Sequence, residues 1–287
     1  MKTDVVLGLA ANYDWPDIEP FAVSLVRSGY DGDKVLFVKD NTPEATKNLS
    51  DLGFSQIELP HVDFSDPTMP LGKFFAYVGR FLLIHQYLFE NPGYRFVVCV
   101  DTRDAVFQHN PITWMENNVF VHGVVAASEH IRHCDQEGNA LWIEQAFKEV
   151  APWLLSHQVY CSGVIAGTAE YISDLALAIY LQGRHLSDKI WGADQPAYNS
   201  IMHQAAYEDI TYVPKMSDLW CLNMCVLAFE RYRKFMTDLP PVRAFSGIKI
   251  QEDGDEYLLP DLSDFTILHQ YDRIPALAQI LRKKYSL

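Results

Sequence analysis

The sequence predicts an α/β fold, with a mostly parallel central sheet and helices on both faces, in a single domain. Three observations carry this reading. Short, almost wholly apolar runs, as expected of strands buried on both sides, recur through the first hundred residues. Between them lie amphipathic segments with recognisable helix starts and stops. No repeat, low-complexity tract or linker divides the 287 residues, a length that one large α/β domain can fill.

Asp4–Ala11 is the first strand. A helix follows, with Asp17 as its N-cap, Phe21, Leu25 and Val26 on one side, and Gly29 as its stop. Lys34–Lys39 is the second strand. Thr42-Pro43 then supplies an N-cap and a proline at the first helical position, and Gly53 ends that helix. Gln56–Leu59 is a third, short strand. Gly72–Phe89 is helical and is stopped by Asn91-Pro92-Gly93, and Arg95–Val100 is a buried strand running into Asp101-Thr102-Arg103-Asp104. Ligands in doubly wound sheets bind beyond the carboxyl ends of the strands, which is where this acidic cluster falls.

The second half is less regular. Val121–Ala127 and Val159–Ala166 read as strands, and Asn139–Val150, Ala169–Leu181 and Asp194–Gln204 as helices. Ile210–Val213 is a short strand, and Asp218–Pro260 carries no clear pattern. Thr266–His269 is a last strand and Pro275–Lys284 a final amphipathic helix.

Composition narrows the function. With 37 acidic against 23 basic residues the net charge is −14, which disfavours binding to nucleic acid through a basic surface. Hydrophobic residues at 49% and charged residues at 21% exclude wholesale disorder. The five cysteines are odd in number and irregularly spaced, and read as reduced thiols of a cytoplasmic protein. Cys221 and Cys225 could share a helix face, but without a Cys-x-x-Cys pair structural zinc is not expected. No apolar run approaches the roughly 20 residues that cross a bilayer. Val5–Ala11, preceded by Asp4, reads as a strand rather than a signal peptide. Arg282, Lys283 and Lys284 on the last helix allow at most a peripheral contact with anionic lipid, or are simply solvated.

Two carboxylates three residues apart, just past a buried strand, are costly to hold together unless a cation neutralises them. Asp101 and Asp104 therefore suit Mg²⁺ or Mn²⁺, which can bridge to nucleotide phosphates. Alternatively, one caps a turn and the other pairs with Arg103. Near the far end, His269 at a strand end with Arg273 four residues on could supply an imidazole ligand and a phosphate clamp, or His269 is a hydrogen-bonded structural residue.

The order of elements, the Asp101-Thr-Arg-Asp104 motif and the late His269 together resemble the GT-A glycosyltransferases, the nucleotide-diphospho-sugar transferase fold. The acidic motif is similar to the Asp-x-x-Asp form in the glycosyltransferase domains of procollagen lysyl hydroxylases. The late His resembles that of glycogenin and of bacterial lipooligosaccharide galactosyltransferases, although the usual Gly and Lys-Pro-Trp neighbours are absent here. The resemblance implies a metal-dependent enzyme in which Asp101, Asp104 and His269 bind Mn²⁺ or Mg²⁺. It implies a nucleotide-diphosphate sugar donor, a UDP-sugar by analogy, and a saccharide or other hydroxyl acceptor. It also divides the chain into a nucleotide-binding half, about 1–110, and a sugar and acceptor half, about 111–287.

Under this resemblance Leu9, Ala10, Ala11, Asn12 and Tyr13 cradle the base and ribose, with Tyr13 stacking on the base; an ordinary strand-to-helix loop is the alternative. Asp40 could touch the base or ribose. Thr102 and Arg103, with Asp101, border the donor, and Arg273 contacts its pyrophosphate. Lys73, Tyr77 and Arg80 share a helix face, and Arg80 stands where a basic residue contacts the donor in several GT-A enzymes; a solvated face is the alternative.

Tyr160-Cys161-Ser162-Gly163 resembles the Asn-Ser-Gly segment lining the sugar pocket, with Cys161 in place of Asn and Ser162 and Gly163 matching. Trp191-Gly-Ala-Asp194-Gln195 is similar to the Asp-Gln helix start of retaining members. There Asp194 would hold a sugar or acceptor hydroxyl and Gln195 would lie beneath the anomeric carbon. Asp194 as a plain helix cap is the competing account. Glu129, His130, Arg132 and His133 face the acceptor or belong to a mobile loop. No Asp or Glu stands out as an acceptor-activating base. The resemblance to retaining members implies that stereochemistry is retained, with the diphosphate taking the acceptor proton. The alternatives are a nucleotide-sugar-binding protein without turnover and a sugar nucleotidyltransferase, whose Gly-rich basic loop after the first strand is missing here.

Overall fold

The computed structural model describes residues 4–59, 75–118, 123–186, 190, 192–228, 233–240, 245–252 and 255–287. The chain runs β1 (Asp4–Ala11), α1 (Trp15–Arg27), β2 (Asp33–Lys39), α2 (Pro43–Asp51), β3 (Ser55–Glu58), α3 (Arg80–Glu90), β4 (Phe96–Asp101), β5 (Ala105–Phe107) and α4 (Pro111–Asn118). It continues through β6 (Val124–Arg132), α5 (Glu137–Phe147), α6 (Ala151–Leu155), β7 (Gln158–Thr168), α7 (Ala169–Gly183), α8 (Asp194–Met202), α9 (Ala205–Glu208) and β8 (Thr211–Tyr212). The last elements are β9 (Cys221–Asn223), α10 (Met224–Leu227), β10 (Phe245–Glu252), β11 (Asp255–Pro260), β12 (Ile267–His269) and α11 (Pro275–Lys284).

Strand alternation sorts the helices into two layers. Val5 and Leu7 of β1, with Val97 and Cys99 of β4, pack against Phe81, Ile84 and Leu88 of α3 and the apolar residues of α7 and α8. Val6, Ala10, Val98 and Val100 point the other way, onto Ile18, Phe21 and Leu25 of α1, Leu49 of α2 and Leu277 and Leu281 of α11. The main sheet has the order β3-β2-β1-β4-β7-β6-β8. Its β3-β2, β2-β1, β1-β4 and β6-β8 pairs are parallel, whereas β7 is antiparallel to both neighbours. The mostly parallel sheet with helices on both faces is therefore as expected. A smaller sheet, β5-β12-β9, lies beside it, and β10 and β11 form an antiparallel pair.

Local differences from the sequence reading have physical causes. The N-cap of α1 is Asp14, whose N–H donates to the Asp17 carboxylate at 3.0 Å, so Asp17 is the reciprocal partner of a capping box rather than the cap. Phe21 and Leu25 are buried, but Val26 is 37% exposed. The predicted long helix contains a π-turn at Phe75–Gly79 before α3 begins; its earlier residues, including Lys73, lie outside the described ones. The strand predicted to end at Ala127 continues to Arg132, so Glu129 and His130 belong to a buried strand, not a loop. Cys221 is on β9 and Cys225 on α10, so they share no helix face. All five cysteines are free, and no helix among the described residues is long and apolar enough to cross a membrane.

Candidate active site

β1 and β4 end side by side, with Leu9 opposite Asp101. Beyond these ends opens a cavity of about 370 Å³, bordered among others by Leu9, Ala11, Tyr13, Arg80, Asp101, Thr102, Arg103, Asp104, Asp194 and Arg273. Residues from both halves of the sequence thus meet where a doubly wound sheet binds its ligand.

The third carboxylate-facing group arrives from far along the chain. β5, directly after Asp104, pairs antiparallel with β12, and β12 pairs parallel with β9, which sets His269 against Ala105 and Asn223. His269 Nε2 lies 3.6 Å from Asp101 Oδ2 and 3.5 Å from Asp104 Oδ1. One ligand atom from each of the three residues falls within 4.8 Å of the others. His269 is 1% exposed, and its Nε2 has no hydrogen-bond partner.

Nδ1 explains why Nε2 is left open. It lies 2.8 Å from Asn223 Oδ1, an oxygen that can only accept, so Nδ1 carries a proton and Nε2 is the nitrogen left to take either a second proton or a cation. Asn223 is itself oriented by donating from Nδ2 to the Ser128 carbonyl at 3.0 Å. An imidazole whose second nitrogen is fixed in this way is the usual arrangement of a metal-binding His.

Gly163 closes the triad from β7. A Cβ at this position would stand 2.6 Å from His269 Nε2 and 2.7 Å from Asp101 Oδ2, so only glycine leaves these two groups their present spacing. Two carboxylate oxygens and one imidazole nitrogen form a donor set that suits Mn²⁺ or Mg²⁺.

Electrostatics agree. Burial opposes ionisation of Asp101, but the Arg80 guanidinium and His269 hold its carboxyl down at about 2. Burial also opposes a charged His269, yet Cys161, Asp104 and Asp101 together raise its pKa well above the ordinary value. The cluster thus attracts positive charge.

Arg80, at the first turn of α3, is mostly committed to the protein. It pairs with Asp101 and, through Nη2, donates to the Ser162 carbonyl at 3.1 Å and to Asp194 Oδ2 at 2.9 Å. Ser162 Oγ donates to the same Asp194 oxygen at 2.9 Å. Burial pushes the Asp194 carboxyl up, against the pull of Arg80. Asp194 is the first residue of α8, but the N-cap is Ala193 and no side chain caps the helix, so Asp194 is not its cap; its carboxylate, bonded to Arg80 and Ser162, borders the cavity instead. Gln195 Oε1 accepts from the Ser162 N–H at 2.8 Å, and its Nε2 donates to Glu129 Oε1 at 3.2 Å.

Other predicted residues have more modest positions. Ala10 is fully buried in the core, and Asn12 is exposed with φ +59°. Thr102 Oγ1 donates to the Leu9 carbonyl at 2.6 Å, tying the acidic loop to β1. Asp40 is exposed and adopts φ +50°. Tyr13 is half-buried, while the Arg103 and Arg273 side chains are 53% and 44% exposed and flank Asp272. Sequence reasoning missed Asn223, whose neighbourhood carried no pattern, and Asn139, which donates to the Glu129 carboxylate at 3.3 Å.

No protein-family model and no curated protein matches the sequence. Solved structures do match the fold. A galactosyltransferase LgtC, crystallised with donor and acceptor sugar analogs, aligns with a TM-score of 0.59 and 12% identity over 99% of this chain and 97% of that one. An active-site mutant of LgtC gives 0.56 and 12% identity, covering 93% and 86%. The apo structure of the bifunctional glycosyltransferase WbbM gives 0.52 and 11% identity over 99% of this chain and 52% of that one. These likenesses show that the chain has the GT-A fold.

Proposed function

We propose that the protein is a metal-dependent glycosyltransferase, moving a sugar from a UDP-sugar to a saccharide or other hydroxyl acceptor with retention at the anomeric carbon. The observation that carries this reading is the Asp101, Asp104 and His269 triad, with the buried, unpartnered Nε2 of His269 facing both carboxylates. Mn²⁺ or Mg²⁺ held by these three residues supplies charge neutralisation for the departing diphosphate.

The chain's own residues do the rest. Arg103 and Arg273, bordering the cavity, give cationic hydrogen bonds to the diphosphate oxygens. Tyr13 stacks on the base. Arg80 orients Asp101 and Asp194 rather than holding the donor directly. Asp194 takes its two bonds on Oδ2, and its other oxygen accepts from a sugar hydroxyl. Gln195, gripped at both ends of its amide, presents Oε1 as a fixed neutral dipole to positive charge developing at the anomeric carbon. The acceptor proton passes to the diphosphate. Five free cysteines suit a cytoplasmic location.

Thermal unfolding with UDP, GDP, CMP or ADP, each with and without Mn²⁺, tests the donor site. At ~100 times its dissociation constant a ligand stabilises by ~2.7 kcal/mol, a shift of several degrees at roughly 2–4 °C per kcal/mol. The expected result is a UDP shift that requires Mn²⁺ and vanishes in Asp104→Ala. Absence of any metal-dependent shift would overturn the reading. Release of UDP from a UDP-sugar then separates an enzyme from a binding protein.

A further inference from the structure

A second cluster of potential ligands lies away from the cleft. His157 immediately precedes β7, His203 follows the last residue of α8, and Glu208 is the last residue of α9. Gly163 abuts the first triad, and His157 stands six residues earlier in the chain, roughly 20 Å along an extended strand. One ligand atom from each of His157, His203 and Glu208 lies within 4.8 Å of the others.

Backbone carbonyls fix both imidazoles in complementary tautomers. His157 Nδ1 is 2.9 Å from the Trp153 carbonyl, which can only accept, so Nδ1 bears hydrogen and Nε2 a lone pair. His203 Nε2 is 2.8 Å from the Gln158 carbonyl, so there Nε2 bears hydrogen and Nδ1 the lone pair. The ring centroids are 4.7 Å apart, and His203 is stacked on Tyr160 at 4.6 Å, which restrains its rotation. Glu208 is exposed, and its carboxylate forms no hydrogen bond or ion pair among the described residues. Two oriented imidazoles and a free carboxylate, open to solvent on one side, make a donor set of the Zn²⁺ class rather than of the Mg²⁺ class.

We propose that His157, His203 and Glu208 form a second divalent-metal site, of the Zn²⁺-binding type, that fastens the α8–α9 corner to the start of β7. Its consequence reaches the cleft mechanically. α8 carries Asp194 and Gln195 at one end and is followed by His203 at the other, so an ion at the far end restrains the helix that presents them. The site is independent of the transferase reading, because it shares no ligand with the first triad.

The test uses the full, tag-free chain carrying Asp104→Ala, stripped with a chelator and titrated calorimetrically with Zn²⁺. One Zn²⁺ should bind per chain, and adding His157→Gln or Glu208→Gln should weaken it more than about tenfold. Co²⁺ bound in its place should show visible ligand-field absorption that His157→Gln abolishes. Because Glu208 is exposed and His157 only partly buried, metal-free unfolding should stay close to that of the parent and certify the fold. Failure to bind Zn²⁺, or an affinity unchanged by both substitutions, would overturn the proposal.

Discussion

The two halves of the molecule build the same cleft by different means. In the first, β1, β2 and β4 lie side by side in parallel, and the site groups sit at or just past their carboxyl ends, where the fold itself delivers them. In the second, His269 is delivered by a three-residue strand whose partners are β5, more than 150 residues earlier, and β9. The first half brings charge to the site through Asp101 and Asp104. The second brings geometry to the triad, through a His anchored at Nδ1, an Asn that anchors it and a Gly that leaves room, and adds Asp194 and Arg273 at the border of the cavity.

If that division is right, the largest effect should come from a second-half residue with no functional group. In Gly163→Ala the added methyl would fall within 3 Å of both His269 Nε2 and Asp101 Oδ2, so the triad must spread. The Mn²⁺-dependent stabilisation by UDP should disappear, while overpacking costs the fold about 1–3 kcal/mol. Thermal unfolding with and without Mn²⁺ and UDP reads both quantities. A retained Mn²⁺-dependent shift would show that the half supplying charge is sufficient by itself.

Asn223→Ala is the next test, because it touches neither the ion nor the nucleotide. Without the Oδ1 acceptor, His269 Nδ1 loses its 2.8 Å partner and the ring is free to hold the other tautomer. Affinity for Mn²⁺, measured by titration in the presence of UDP, should fall about 10–100-fold, as for other partners of metal-binding imidazoles. Asn223→Asp keeps an acceptor oxygen and should recover part of the loss. Equal affinities in all three chains would confine the metal site to the carboxylates.

The same contrast governs how much of the fold and of the site is legible in the amino-acid sequence. β1, β2, β4 and the ends of α2 announce themselves through contiguous apolar runs, a Thr42-Pro43 start and a Gly53 stop, all local signals. Asp101 and Asp104 are legible because two carboxylates beyond a buried strand need a reason. β5, β9 and β12 are harder: three residues are too few to show a period, and their pairing is long-range. Asn223 carries no signal of its own, since an amide that selects a tautomer is recognisable only beside its imidazole. Arg80 can be found by position, but its commitment to Asp101, Ser162 and Asp194 cannot, because those partners lie 21, 82 and 114 residues away.

The smallest effect sharpens the comparison from beneath the sugar side of the cleft. Glu129 is buried on β6, accepts from Gln195 and Asn139, and is pushed above the ordinary Glu range chiefly by burial. A carboxyl whose folded pKa is raised contributes stability at low pH and loses it as pH rises through the folded value. The contribution of Glu129 to stability should therefore decline, by less than one proton's linkage, as pH climbs from the ordinary Glu value. Glu129→Gln should flatten that decline, so the difference between the two chains shifts in favour of the mutant as pH rises. Denaturant unfolding across pH measures it. A difference independent of pH would mean that Gln195 and Asn139 solvate the carboxylate fully. Glu129 would then be a buried charge beneath the cleft, beside those that Asp194 and Arg273 already bring to it from the same half.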